Sequence, residues 1–297
     1  MSRGLGDVYK RQVSEYMQWS NYNRNILKGQ KKVDIPNCVT VMPMAGQGSR
    51  FSKEGYEVPK PCIPVNGSLM FLQALKCLPN TSDLFFASLT SRKYLLDLEK
   101  YGKVVWLDDV LEGQACTTER IVNHISDPNM SFLVSACDNG ILYDSDKFLN
   151  LVNNFDNDII VWSYRNNFTS YRNPNAYSWL DVDDENIIRK VNVKDYKGVN
   201  PLDEFAVVGT MFFRNKEIYN NSLKKLYEKN IRTNGEFYID NLLNEAIELG
   251  YIVRNFEVDE YICWGTPNDL KTYEYWQTFF NKVNWHPYEY EKDYLTN

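Results

Sequence analysis

Apolar residues in this 297-residue chain alternate between two periods. Short apolar runs read as buried strands: Val39-Thr40-Val41-Met42, Leu84 to Leu89, Val104-Val105-Trp106-Leu107, Ser131 to Ala136 and Ile159-Ile160-Val161-Trp162. Between them apolar positions fall at helical spacing. Leu69, Leu72, Leu75 and Leu78 mark a helix over Ser68 to Leu78, and Ile121, Val122 and Ile125 mark one opened by Gly113. Ser91 is placed to cap a helix reaching Lys100, and a further helix is expected near Ser145 to Asn154. Strands alternating with helices predict βαβ units and a mostly parallel sheet. In such a sheet, functional groups gather at the carboxyl ends of the strands.

The second half changes character. Tyr177 to Val182 and Ile187 to Val193 read as a hairpin around Asp183-Asp184-Glu185-Asn186, followed by a long strand from Phe205 to Phe213. Helices are expected at about Lys216 to Lys229 and Glu236 to Leu249. In the latter, Ile239, Leu242, Leu243, Ala246 and Ile247 form one apolar face. A strand at Tyr251 to Val258 and a helix at about Pro267 to Asn281 complete the pattern. No internal repeat or low-complexity segment interrupts it.

The densest chemistry follows the first strand. Residues 44 to 61 read Met-Ala-Gly-Gln-Gly-Ser-Arg-Phe-Ser-Lys-Glu-Gly-Tyr-Glu-Val-Pro-Lys-Pro. A strand thus delivers the backbone into a Gly-rich turn, where Gly46 and Gly48 permit conformations that a Cβ would forbid. Successive N–H groups in such a turn form an anion-binding nest. Arg50 can grip phosphate oxygens in bidentate fashion, and Lys60 can supply a point charge. The chemistry indicated is the handling of a nucleoside triphosphate. Neither rival phosphate motif fits: there is no Gly-Lys-[Ser/Thr], and Phe51 stands where a dinucleotide fingerprint needs its third Gly.

Ala45-Gly46-Gln47-Gly48-Ser49-Arg50 with Pro59-Lys60-Pro61 resembles the signature of the sugar-phosphate nucleotidyltransferases. The resemblance covers about residues 38 to 280. It implies a doubly wound, mostly parallel α/β sheet of the nucleotide-diphospho-sugar transferase (GT-A-like) type, with an inserted acceptor-binding subregion. It also implies roles: Ala45, Gly46, Gly48 and Ser49 on the nucleotide, Arg50 and Lys60 in catalysis, and Asp138 on Mg²⁺. Gly113-Gln114 resembles the family's base-contacting loop. Lys194 stands where the family's acceptor-phosphate Lys is expected, with Val193 in place of the usual Glu; Lys190 or Lys197 are alternatives. Gly235-Glu236 resembles a sugar-binding motif, and Gly209 is placed on the acceptor side. Gly265-Thr266-Pro267 resembles a motif whose second metal-binding Asp would fall at Cys263. Cysteine is a poor ligand for hard Mg²⁺. Either Asp138 carries the ion with phosphates and water, or another acid such as Asp259 or Glu260 swings in.

The activity implied is transfer of the NMP of an NTP to a sugar 1-phosphate with release of pyrophosphate. The product would be a nucleotide-sugar for surface polysaccharide (capsule or lipopolysaccharide) synthesis. Alternatives are a cytidylyltransferase-type enzyme for a phosphorylated non-sugar such as phosphocholine, and a catalytically silent nucleotide binder. A metal-dependent glycosyltransferase would want an Asp-x-Asp after a strand, and Asp144-Ser145-Asp146 falls several residues late.

Bulk properties narrow the partners. A net charge of −6 disfavours a general nucleic-acid or acidic-membrane binder. Six scattered cysteines without Cys-x-x-Cys spacing, and only two histidines, disfavour zinc and suit a reducing cytoplasm. No apolar run approaches the roughly 20 residues that span a bilayer. The expected partners are an NTP and a phosphorylated small-molecule acceptor, and a homo-oligomer or a lost upstream domain is compatible with this. Residues 1–37 are expected to be an extraneous segment and linker, with Met1 to Gln12 set aside from the fold. Residues 38–281 would form the nucleotidyltransferase domain and 282–297 a tail that packs on a neighbour or on nothing.

Overall fold

The computed structural model describes residues 5–296. In chain order, helix α1 (Leu5–Asn25) precedes β1 (Asp34–Pro43), the short α2 (Ser49–Ser52), a small hairpin β2 (Pro64–Val65) and β3 (Ser68–Leu69), α3 (Met70–Lys76), β4 (Asn80–Leu89) and β5 (Lys103–Leu107). Then come α4 (Gln114–Val122), β6 (Ser131–Val134), β7 (Asn139–Leu142), α5 (Ser145–Asn153), β8 (Ile159–Tyr164) and α6 (Phe168–Arg172). The second half holds β9 (Trp179–Val182), β10 (Ile188–Asn192), β11 (Phe205–Phe213), α7 (Lys216–Lys229), α8 (Ile239–Glu248), β12 (Val253–Glu257), β13 (Glu260–Cys263) and α9 (Pro267–Lys282).

Within a nine-stranded sheet, β12, β8, β11, β6, β1, β4 and β5 lie side by side, and all but β11 run the same way. Period-2 alternation splits each strand between two cores. Val39 and Val41 pack with α4, α7 and α8 on one face. Cys38 and Met42 pack with α1, α3, α5 and α9 on the other. Burial on both faces is why these strands read as unbroken apolar runs. This is the mostly parallel α/β architecture expected.

The reversed strand β11 shapes the site. The downstream end of β11 pairs with β6, Met211 opposite Val134. Its upstream end runs past the carboxyl end of β6 and pairs with β9, Phe205 opposite Leu180. The β9–β10 hairpin is thereby hung beyond the carboxyl edge of the sheet, and the residues flanking it, Tyr177, Ser178 and Lys194, wall the site. A second ladder, β7 with β13, sets Cys263 opposite Asn139 and Glu260 opposite Leu142.

Three expectations are corrected. Residues 91–100 form no α-helix, only two 3-10 turns, Thr90–Arg92 and Leu98–Lys100. Leu96 and Leu98 are both buried, and side chains two apart point to different sides of an α-helix. The segment 13–37, expected as a linker, enters α1 and the start of β1; Trp19 and Tyr22 are 4% and 1% exposed. Both rings meet Tyr273 of α9, and Gln18 caps the Phe168 N–H. Helical packing of aromatics among polar residues supplies what composition alone missed. Of the segment set aside, residues 5–12 belong to α1 and residues 1–4 lie outside the described residues. The tail also folds back: Tyr288 and Leu295 are buried, and Gln277 of α9 donates to Tyr288 and Asp293.

Candidate active site

A cleft of ≈ 570 Å³ opens at the carboxyl ends of β1 and β6. It is lined by every residue singled out for the site: Ala45, Gly46, Gly48, Ser49, Arg50, Lys60, Gly113, Gln114, Asp138, Lys194, Gly209 and Glu236.

The loop after β1 forms the floor. Its backbone N–H groups from Ala45 to Arg50 meet no hydrogen-bond partner among the described residues, a row of free donors. Gly48 adopts φ +65°, and a Cβ there would stand 3.1 Å from Lys60 Cβ. A side chain at 48 would be strained and would crowd Lys60. Behind the loop, Arg92 donates through Nη1 to the Met44 carbonyl and through Nη2 to the Gly46 carbonyl, each at 2.9 Å.

Lys60 reaches across the cleft and pairs with Asp138 Oδ2. Burial would pull the Lys60 ammonium down, but Asp138 and its surroundings more than offset that and hold it above the usual lysine value. Asp138 sits where β6 leads into β7, its backbone fastened by the Trp264 N–H at 2.8 Å. Asp-Asn-Gly here enters a strand rather than closing a turn.

Cys263 lies beside this pair: a Cβ on Gly265 would be 2.9 Å from Asp138 Oδ2 and 3.2 Å from Cys263 Sγ. Burial pushes the Cys263 thiol up to about 12, so it stays neutral. Asp259 and Glu260 are not brought to Asp138; Glu260 is at the far end of the ladder, bonded by Asn25 of α1. Cys263 Sγ donates to Asp269 at 3.6 Å, and Asp269 also accepts from Thr266 Oγ1 at 2.6 Å and is raised by burial. Among the described residues no three His, Cys, Asp or Glu side chains cluster as a ready-made metal site. One carboxylate with phosphate oxygens and water is nonetheless an ordinary Mg²⁺ donor set, and Asp138 fits it.

The other end of the cleft is assembled from distant segments. Lys194, in the left-handed region at φ +51°, donates to Tyr238 Oη at 2.8 Å and lies over its ring. The two other lysines considered do not reach the cleft: Lys190 is exposed on β10, and Lys197 pairs with Asp195. Gly209 marks the irregularity in β11, and its carbonyl accepts from Ala136 N–H at 3.1 Å. Glu236 is exposed to the cleft.

Sequence reading missed Ser178 and Asp240, which face the same end and share a 2.5 Å hydrogen bond. Burial raises the Asp240 carboxyl, with Ser178 and Lys194 pulling it partly back. Its only sequence signal, an acid in the first turn of α8, reads equally as a complement to the helix dipole. The two ends meet at Gly113, whose φ is +133° and where a Cβ would stand 2.5 Å from the Phe237 carbonyl oxygen. Ala115 N–H donates to that oxygen, and Phe237 N–H donates to Glu112.

No family model and no curated protein matches the sequence. Solved structures do match the fold. A nucleoside-diphosphate-sugar pyrophosphorylase from Vibrio cholerae superposes with a TM-score of 0.62 at 19% identity, over 79% of this chain and 98% of that one. An inositol-1-phosphate CTP transferase from T. maritima gives 0.62 at 19%, over 82% and 97%. HddC from Yersinia pseudotuberculosis complexed with GMP-PN gives 0.55 at 16%, over 79% and 96%. The chain therefore shares the fold of these solved structures, and its Gly-rich loop after β1 forms the floor of the cleft.

Proposed function

We propose that the chain is a nucleotidyltransferase that joins the NMP of an NTP to a phosphorylated small molecule and releases pyrophosphate. The observation that carries this reading is the single cleft in which a row of free backbone N–H groups, Arg50 and Lys60 face Lys194 across Asp138. One cationic end suits a triphosphate, and a separate lysine suits a second phosphate.

A phosphate oxygen of the acceptor attacks the α-phosphorus. A new P–O bond forms, the α–β anhydride bond breaks, and pyrophosphate carries away the electron pair. The nucleophile is already an oxyanion, so no general base is required. Both reactants are anions, and the chain's work is positioning and charge neutralisation. The loop N–H groups and Arg50 hold the pyrophosphate portion, Lys60 meets charge at the α-phosphate, and Lys194 draws in the acceptor phosphate. Asp138 would hold Mg²⁺, which when bound neutralises charge on the triphosphate.

At the acceptor end, Ser178, Glu236 and Asp240 supply partners for hydroxyl groups, which supports a sugar 1-phosphate. A phosphocholine-like acceptor is a second reading, supported by the Tyr177 and Tyr238 rings at that same end, since aromatic faces attract quaternary ammonium. The test is pyrophosphate release with Mg²⁺ from CTP, UTP, GTP, ATP and dTTP, each against sugar 1-phosphates and phosphocholine. Release with one triphosphate and one acceptor is expected. Triphosphate binding without release from any pair would make the chain a silent nucleotide binder.

A further inference from the structure

Arg92 follows β4, more than 40 residues from the phosphate loop, and is not among the residues lining the cleft. Its two bonds nonetheless bear on the loop's chemistry. The Met44 carbonyl and the Ala45 N–H belong to one peptide unit, as do the Gly46 carbonyl and the Gln47 N–H. A trans peptide is planar, so its C=O and N–H point in opposite directions. A guanidinium that holds both carbonyls on one side of the loop turns both N–H groups to the other. Those N–H groups are within the row that meets no partner among the described residues. The Met44 N–H, by contrast, is fixed to the Ala87 carbonyl at 2.8 Å, so the strand ladder ends where the Arg92 clamp takes over. The fork geometry of a guanidinium spans two carbonyls at once, which a lysine ammonium on one flexible stem does not. Half-buried, Arg92 is held somewhat below the usual arginine value by desolvation and remains a cation.

We propose that Arg92 is a positioning residue for the triphosphate: it clamps the Met44 and Gly46 carbonyls so that the Ala45 and Gln47 N–H groups are aimed at the ligand before it arrives. The inference rests on reading this cleft as a triphosphate site. Pre-aimed donors cost no reorganisation on binding, so the clamp acts on triphosphate affinity and not on the acceptor.

The test uses the full chain, Arg92→Ala and Arg92→Lys, titrated calorimetrically with inorganic tripolyphosphate and with each NTP. Amide exchange of the peptide spanning 44–50 and melting temperatures are recorded beside it. Arg92→Ala is expected to weaken tripolyphosphate by on the order of 10- to 100-fold, with the acceptor KM and the amide exchange outside 44–50 unchanged. Arg92→Lys is expected to recover little. Three results overturn the clamp: Arg92→Ala binding as the wild type does, Arg92→Lys restoring full affinity, or faster exchange across the whole chain with both substrates weakened together. Should the wild type bind neither tripolyphosphate nor any NTP, the triphosphate reading itself fails, an outcome separate from these three.

Discussion

The two ends of the cleft are built in opposite ways. The end proposed for the triphosphate is one continuous piece of backbone, Ala45 to Arg50, whose donors are peptide N–H groups that any sequence of the right shape would present. The end proposed for the acceptor is a convergence of side chains from the segments flanking the β9–β10 hairpin and from the start of α8: Ser178, Lys194, Glu236, Tyr238 and Asp240. A triphosphate is the same in every NTP, so backbone suffices for it. An acceptor must be told from its neighbours, and side chains on separable segments can do that.

Four measurements bear on this contrast. The largest effect is expected from Trp19→Ala, which loosens the frame under both ends by opening a cavity between α1 and α9. A loss of about 3–5 kcal/mol in urea unfolding is expected. Retained stability would return α1 to the status of a linker. Next, Lys60→Ala removes one of the two cations proposed to meet the triphosphate and leaves Asp138 without its ion-pair partner. A fall in kcat of on the order of 100-fold or more is expected, with modest change in acceptor KM. An unchanged kcat would refute the role of Lys60.

The third concerns pH. Burial raises Glu260 from 4.5 to about 7, with Asn25 and Lys28 pulling it back and Asp259 adding to it. The folded chain therefore holds this proton more tightly than the unfolded one. Its contribution is full below pH 4.5 and is lost as pH rises through about 7. Between pH 5 and 8 the wild type should lose about 2–3 kcal/mol that Glu260→Gln does not lose. Equal slopes for the two proteins would reject the assignment. The smallest effect is expected from Lys194→Met: about a 10-fold rise in acceptor KM with triphosphate affinity untouched, which separates the two ends directly. A matching loss of triphosphate affinity would erase the contrast.

How much of this could be read in advance differs by region for a physical reason. Gly48, Arg50 and Lys60 carry their meaning locally, because a turn after a strand needs glycine at positive φ and a phosphate needs cations within a few residues of it. Asp240 carries none of its meaning locally. It is an acid in a first helical turn until Ser178 and Lys194 are folded against it. Arg92 is likewise a surface-type residue in sequence and becomes a clamp only because β4 pairs with β1. Trp19 and Tyr22 lie among polar residues, and their burial depends on Tyr273, far along the chain.

Local sequence patterns were enough to mark the strands and helices of the parallel core, the Gly-rich loop after the first strand, and the charges on which the proposed triphosphate reading rests. These follow from periodicities and turn chemistry that act over a few residues. The tertiary structure alone decided that α1 and the tail belong to the core, that Cys263 rather than Asp259 or Glu260 lies beside Asp138, and that Ser178, Lys194 and Asp240 line the same cleft. Those outcomes depend on register and chain reversal, above all on the antiparallel strand β11. Which residues it brings face to face is a property of pairing across the sheet, and no local pattern encodes it.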